Sequence, residues 1–72
     1  MTDFIAPMMY KIWEYDTRTK EEHEAVVSLM ALRERYLIQW LEVFKAIQPL
    51  EKKQTVTIQL NQYVEVKIAR MT

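Results

Sequence analysis

The chain has 72 residues, half of them apolar, and its ten Lys and Arg balance ten Asp and Glu. This composition indicates a folded domain rather than a disordered linker. The chain has no Gly, which excludes the Gly-rich loops that bind phosphate in nucleotide-binding proteins. A formal net charge of zero argues against a dedicated DNA-binding module, which normally carries a basic excess.

The start of the chain predicts a short segment followed by a strand. We assign residues 1–8 to an N-terminal segment and residues 9–15, which are rich in aromatic and β-favouring side chains, to a strand. Alternation places Tyr10 on one face of this strand and Trp13 and Tyr15 on the other. These three aromatic side chains form a candidate exposed binding surface.

One long helix is predicted at residues 19–47. Thr19 and Glu22 fit a capping box, in which the two residues satisfy each other's free backbone amides. Pro49 cannot continue a helix and disfavours the helical conformation of the residue before it, so the helix is expected to end near Ile47. No Pro or Gly interrupts the interval.

This helix is too apolar and too long to be covered by its own chain. Its apolar side chains span roughly 240° of the helix circumference, against about 100° for a surface helix that is buried on one side. Its 29 residues would extend about 43 Å, whereas a compact chain of this size has a diameter of about 29 Å. We therefore predict a partner or oligomer interface at Val26, Met30, Arg33, Glu34, Leu37, Leu41 and Phe44. Arg33 and Glu34 lie within the apolar arc and are expected to form ion pairs between subunits.

Two strands are predicted after the helix, at residues 54–60 and 64–69. Their apolar residues all share one parity, which a hairpin with a three-residue loop at 61–63 preserves and a two-residue loop does not. One long strand preserves the same parity and stays an alternative. Residues 70–72 are expected to be frayed.

These elements predict an α+β fold in one small domain. The order is β-α-β-β, with a single long helix packed on a small antiparallel sheet. A chain of this size buries little apolar surface and has no cysteine for disulfides. We therefore expect a dimer or higher oligomer.

No residue pattern predicts catalysis, a metal site or a cofactor. His23 is the single histidine and has no second ligand at helical spacing, so an exposed histidine is the simplest interpretation. A site completed by His23 or Arg33 across a subunit boundary stays open. Lys52, Lys53, Lys67 and Arg70 form a candidate basic patch.

The sequence also predicts the location of the protein. The first ten residues carry Asp3 and lack the basic start and long apolar run of a signal peptide. The charged residues 33–35 interrupt the apolar stretch of the predicted helix and disfavour membrane insertion. We expect a cytoplasmic protein without a membrane segment.

Three classes of function are compatible with these observations. The favoured class is a small non-enzymatic interaction module, an oligomer that binds and modulates another protein, as accessory or inhibitory factors of phages and mobile elements do. The first alternative is a dimer that binds nucleic acid or regulates transcription. The second is a small-molecule binder or tiny enzyme with its site at a subunit interface.

Overall fold

The computed structural model describes residues 8–72 as an α+β fold in which two short helices cover one face of a four-stranded antiparallel sheet. The predicted α+β class is confirmed. The predicted single helix and the β-α-β-β order are wrong, because the order is β-β-α-α-β-β. The predicted segment 1–8 lies outside the described residues except for Met8, which is exposed.

The described part of the chain forms four strands and two helices. In chain order these are β1 (Met9–Asp16), β2 (Glu21–Ser28), α1 (Leu29–Arg35), α2 (Trp40–Ile47), β3 (Thr55–Gln59) and β4 (Val64–Arg70). The strand order across the sheet is β2-β1-β4-β3, so β1 and β4 are central. The helix α1 packs against β1 and β2, and α2 packs against β3. Both helices lie on the same side of the sheet, because Leu32 of α1 and Val43 of α2 share one buried cluster with the paired Ile12 and Ile68.

The first ten residues of the predicted helix form a turn and β2 instead. Asp16 Oδ1 accepts hydrogen bonds from the amides of Arg18 (2.8 Å) and Thr19 (3.3 Å) and so turns the chain back. Thr19 Oγ1 accepts the amide of Glu21 at 3.3 Å, which is a turn contact rather than a helix cap. All eight residues of β2 then pair with β1. Pairing with an aromatic-rich neighbour outweighs the helix propensity of the glutamates.

The helical part of the chain begins at Leu29 and is broken once. Ser28 caps α1, since its Oγ accepts the amide of Ala31 at 3.1 Å. Tyr36 leaves the helical conformation at φ −119° and ψ 42°, and α2 starts at Trp40. The break allows α1 to pack against β1 and β2 while α2 packs against β3 at the other side of the sheet.

The last two strands form a hairpin, and the alternative of one long strand is wrong. The Asn61 side chain accepts the amides of Tyr63 (2.8 Å) and Val64 (3.0 Å) and fixes the loop between β3 and β4. The expected fraying of residues 70–72 is also wrong. Arg70 belongs to β4, the Met71 amide donates to the Met9 carbonyl at 2.8 Å, and Thr72 Oγ1 accepts the Met9 amide at 3.2 Å.

The hydrophobic core lies between the sheet and the two helices. Fully buried side chains come from every layer: Ile12, Leu32, Val43, Ile47, Val66 and Ile68. Strand parity explains which sheet residues contribute, because alternate residues of β1 and β4 face the helices. The opposite face of the sheet has no covering layer among residues 8–72.

Candidate interaction surface

The outer side of the helix layer carries a group of exposed apolar side chains, which we call the helix-layer patch. Their exposed fractions are 72% for Met30, 63% for Leu37, 95% for Ile38, 69% for Leu41 and 37% for Phe44. Single exposed apolar residues are normal on protein surfaces, but a contiguous group marks a contact surface. The helix-layer patch is therefore the first candidate for a functional surface.

The spacing of the sequence explains why these residues point outward together. In α2, Val43 and Ile47 are four residues apart and face the sheet, where they are buried. Leu37, Leu41 and Phe44 follow each other at intervals of four and three residues on another side of the chain. The Trp40 amide donates to the Leu37 carbonyl at 3.4 Å and so continues the winding across the break. Leu37, Leu41 and Phe44 thus follow one another along one side of the helix layer.

A groove borders the helix-layer patch where the two helices approach the end of the sheet. Its volume is about 420 Å³, and most of its lining is apolar. The lining residues are Met8, Ser28, Leu29, Met30, Arg33 and Trp40. The Trp40 ring lies 5.5 Å from the Phe44 ring between centroids, which connects the groove to the patch. An apolar side chain with a neighbouring carboxylate would fit this groove and its single arginine.

Charges of both signs surround the patch. Arg33 and Glu34 on α1, and Glu42 and Lys45 on α2, are all exposed, and none of the four forms an ion pair within residues 8–72. A rim of mixed sign suits a protein surface with ordinary charges. It does not suit a polyanion, which requires a basic excess.

The break between the helices is held by an ion pair to the sheet. Arg35 Nη2 donates to Glu14 Oε2 at 3.1 Å, and this hydrogen bond raises the pKa of the Arg35 guanidinium above its ordinary value. The adjacent Tyr36 is 3% exposed, and burial, followed by the negative charge of Glu14, raises the pKa of its hydroxyl above the ordinary 10.0. That hydroxyl has no well-aligned hydrogen-bond partner in the described part of the chain. The ion pair positions the residues that follow it, where the patch lies.

The residues predicted as an interface divide between two sides of the molecule. Met30, Leu37, Leu41 and Phe44 belong to the helix-layer patch, and Arg33 and Glu34 lie at its rim. Val26 does not join them, and its placement with this row was wrong. Val26 lies in β2 opposite Lys11 and is 56% exposed on the side of the sheet away from the helices. The error follows from the strand that replaces the start of the predicted helix.

Ile38 is the member of the patch that sequence reasoning missed. It lies in the break between α1 and α2. The sequence has no Pro or Gly there that would predict a break. Its near-complete exposure depends on this turn, and the sequence offers no signal that would place it there.

The aromatic residues predicted as an exposed surface also separate. Tyr10 is 3% exposed and belongs to the core, so its assignment to an exposed surface was wrong. Its parity in β1 directs it towards the helices. Trp13 and Tyr15 lie on the uncovered face of the sheet and are half-buried. Lys11 Nζ and Lys67 Nζ each lie 5.1 Å from the Trp13 ring centroid, so cations already contact this ring.

The structure brings part of the predicted basic patch together. Lys52 and Lys53 form a turn before β3, and the Lys53 amide donates to the Arg70 carbonyl at 2.8 Å. Lys67 lies apart from them and contacts Trp13 on the uncovered face. Arg70 is half-buried and donates through Nη1 to the Leu50 carbonyl (2.8 Å) and through Nε to the Thr72 carbonyl (2.7 Å). The guanidinium is thus engaged within the fold.

His23 is exposed on β2, opposite Glu14, and its Nε2 lies 3.6 Å from Glu21 Oε2. Within residues 8–72, no group of three or more His, Cys, Asp or Glu side chains is arranged to hold a metal ion.

No protein-family model, no curated protein and no solved structure matches this chain. Neither of the two described helices has the length and apolar character needed to cross a membrane.

Proposed function

We propose that this protein is a small non-enzymatic interaction module that self-associates and binds and modulates another protein. The observation that carries the proposal is the helix-layer patch with its adjoining groove. The cytoplasmic location expected from the sequence belongs to the same proposal.

The free energy that burial of the patch would contribute is comparable to the cost of association. The five exposed fractions together equal more than three fully exposed large apolar side chains. Burying that surface would contribute about 5 to 10 kcal/mol, since each large apolar side chain contributes about 1.5 to 3 kcal/mol on full burial. Association itself costs about 4 to 15 kcal/mol. Burial of the patch therefore offsets much of the cost of association, and contacts in the groove and at the charged rim would supply the remaining affinity and the specificity.

The chemistry of the surface indicates the class of partner. The groove is apolar with Arg33 in its lining, and the rim carries two positive and two negative side chains. A protein surface with a protruding apolar side chain next to a carboxylate matches these features. Nucleic acid matches them less well, because the rim of the patch has no basic excess.

Comparative capture tests the proposal. The wild-type chain, Leu41→Asp and the control Thr57→Ser are immobilised and exposed to lysate of the native cell, and bound proteins are identified by mass spectrometry. We expect one protein to be retained by the wild type and by Thr57→Ser and lost from Leu41→Asp, because the new carboxylate lies in the centre of the patch. Retention of the same proteins by all three chains would contradict the proposal, provided that circular dichroism shows Leu41→Asp to be folded.

A further inference from the structure

The two outer strands of the sheet differ in how they are protected against pairing with another strand. Among residues 8–72, β2 pairs with β1 alone and β3 pairs with β4 alone, so each has one free edge. β2 carries Glu21, Glu22 and Glu24, whose like charges oppose self-pairing. β3 has the sequence Thr-Val-Thr-Ile-Gln, with no charge and no Pro. The edge of β3 is therefore open to another strand.

The hydrogen-bond pattern shows which backbone groups of β3 face outward. The Leu60 amide donates to the Val64 carbonyl at 2.9 Å, and the Arg70 amide donates to the Gln54 carbonyl at 3.1 Å. Since bonded pairs in an antiparallel ladder recur every second residue, Val56 and Ile58 use their backbone groups on β4. The backbone groups of Thr55, Thr57 and Gln59 thus point to the free edge.

We infer that a second copy of this chain pairs with the free edge of β3 in antiparallel orientation, about a two-fold axis at Thr57. In this register Thr57 faces the partner's Thr57, and Thr55 faces the partner's Gln59. Every outward-pointing group of the strand then meets an outward-pointing group of the other copy. The register also places Val56 opposite the partner's Ile58 on the side of the helices, which is a favourable pair of β-branched residues.

This dimer would form a continuous sheet of eight strands and leave the helix-layer patch free. Because α2 packs against β3, the two α2 helices would lie on either side of the joint and on the same face of the sheet. The two patches would then be presented together to one partner or to two neighbouring copies of it, which strengthens binding through effective concentration. The inference rests on the proposed function, because it identifies the surface through which the proposed self-association occurs.

Single cysteines test the register directly, because the chain has no cysteine of its own. In a bonded antiparallel pair the two Cα atoms lie about 5.5 Å apart, within the range of about 4.4 to 6.8 Å that a disulfide requires. Thr57→Cys should therefore form a disulfide-linked dimer under mild oxidation. Thr55→Cys is the matched control, an exposed Thr on the same face of the same strand. Its Cα would lie about 14 Å from that of the partner's Cys at the same position, at about 3.4 Å per residue.

A mixed experiment extends this test. Thr55→Cys combined with Gln59→Cys should give a disulfide-linked heterodimer, since these positions face each other across the axis. Equal cross-linking of Thr57→Cys and Thr55→Cys would overturn the proposed register, as would the absence of any cross-linked Thr57→Cys.

Sedimentation of the full chain distinguishes this inference from the wider proposal. Thr57→Pro removes an outward amide that β4 does not use, so the fold should persist by circular dichroism while the dimer dissociation constant rises by at least about a hundredfold. Leu41→Asp should remain dimeric. Loss of the dimer in Leu41→Asp with its retention in Thr57→Pro would overturn the β3 joint and make the patch the self-association surface. A wild type that is monomeric at high micromolar concentration would overturn the inference, while capture through the patch could still succeed.

Discussion

Replacement of Tyr36 by Phe should make the protein more stable and less sensitive to alkaline pH. The Tyr36 ring is buried, and its hydroxyl has no well-aligned hydrogen-bond partner in residues 8–72. A buried polar group without a partner costs about 1 to 3 kcal/mol. Removal of one oxygen leaves little empty space, so Tyr36→Phe should raise the free energy of unfolding by about 1 kcal/mol at neutral pH.

The pH dependence follows from the raised pKa of Tyr36. Burial keeps the folded hydroxyl protonated above its ordinary pKa of 10.0, whereas the unfolded hydroxyl ionises there. The contribution of this proton to stability is therefore complete below pH 10.0 and is lost as the pH rises towards the folded pKa. From neutral pH to one pH unit above the ordinary value, the loss amounts to about 1.4 kcal/mol in total. The difference between Tyr36→Phe and the wild type should grow by that amount.

Urea unfolding at fixed protein concentration, followed by circular dichroism at several values of pH, measures both effects. Tyr63→Phe is the control, because it removes a hydroxyl from a half-exposed ring and keeps Tyr36. Its stability should fall with pH as steeply as that of the wild type. Destabilisation of the fold by Tyr36→Phe at neutral pH would contradict an uncompensated buried hydroxyl, and a loss of stability with alkaline pH as steep as that of the wild type would contradict the raised pKa of Tyr36.

Three further predictions concern turns and caps. The hydrogen bond from the Arg18 amide lowers the pKa of the Asp16 carboxyl below 3.8, so the stability that this carboxylate contributes is present above pH 3.8 and is lost as the pH falls below it. Asp16→Ala should therefore lower the melting temperature at neutral pH, and its melting temperature should fall less steeply with acid than that of the wild type. Ser28→Ala should destabilise the fold by about 1 kcal/mol in urea unfolding, while Ser28→Asp keeps a capping oxygen and should cost less. Lys53 has φ 72°, so Lys53→Gly should stabilise the fold by up to about 1 kcal/mol, and a loss of stability would contradict the strain argument.

The sequence predicted best those elements whose local signals agree with their pairing. The strand expected at residues 9–15 is observed at Met9–Asp16, and the strands expected at 54–60 and 64–69 are observed at Thr55–Gln59 and Val64–Arg70. In these segments the apolar residues alternate, and alternation specifies both a strand and its buried face. The polar loop at 61–63 added a turn signal.

The prediction failed where a local signal and tertiary pairing disagree. Residues 19–28 contain glutamates and a capping-box spacing, both typical of a helix start, yet they pair with β1 throughout. The competing signals were the Asp16 turn, the two consecutive valines and the capping Ser28. These carry less weight in a single sequence than the helical period that follows, although together they place the helix start at Leu29.

Part of the helix-layer patch could nevertheless be predicted. From Leu29 onward the chain is mostly helical, so the helical period still separated the exposed Met30, Leu37, Leu41 and Phe44 from the buried Leu32 and Val43. The exposure of Ile38 could not be predicted, because it depends on the turn that follows Tyr36. The free edge of β3 could not be predicted either, because it depends on the order of the strands in the sheet. That order results from the pairing of all four strands and cannot be inferred from the sequence of one segment.

Methionine footprinting tests whether the helix-layer patch binds a partner protein, because Met30 lies in the patch and Met71 lies outside it. Both are exposed, at 72% and 42%, so peroxide should oxidise both in the isolated chain. After addition of the protein retained in the capture experiment, we expect strong protection of Met30 and unchanged oxidation of Met71. Oxidation of Met30 at the same rate with and without that protein, at concentrations where binding is complete, would contradict binding through the helix-layer patch.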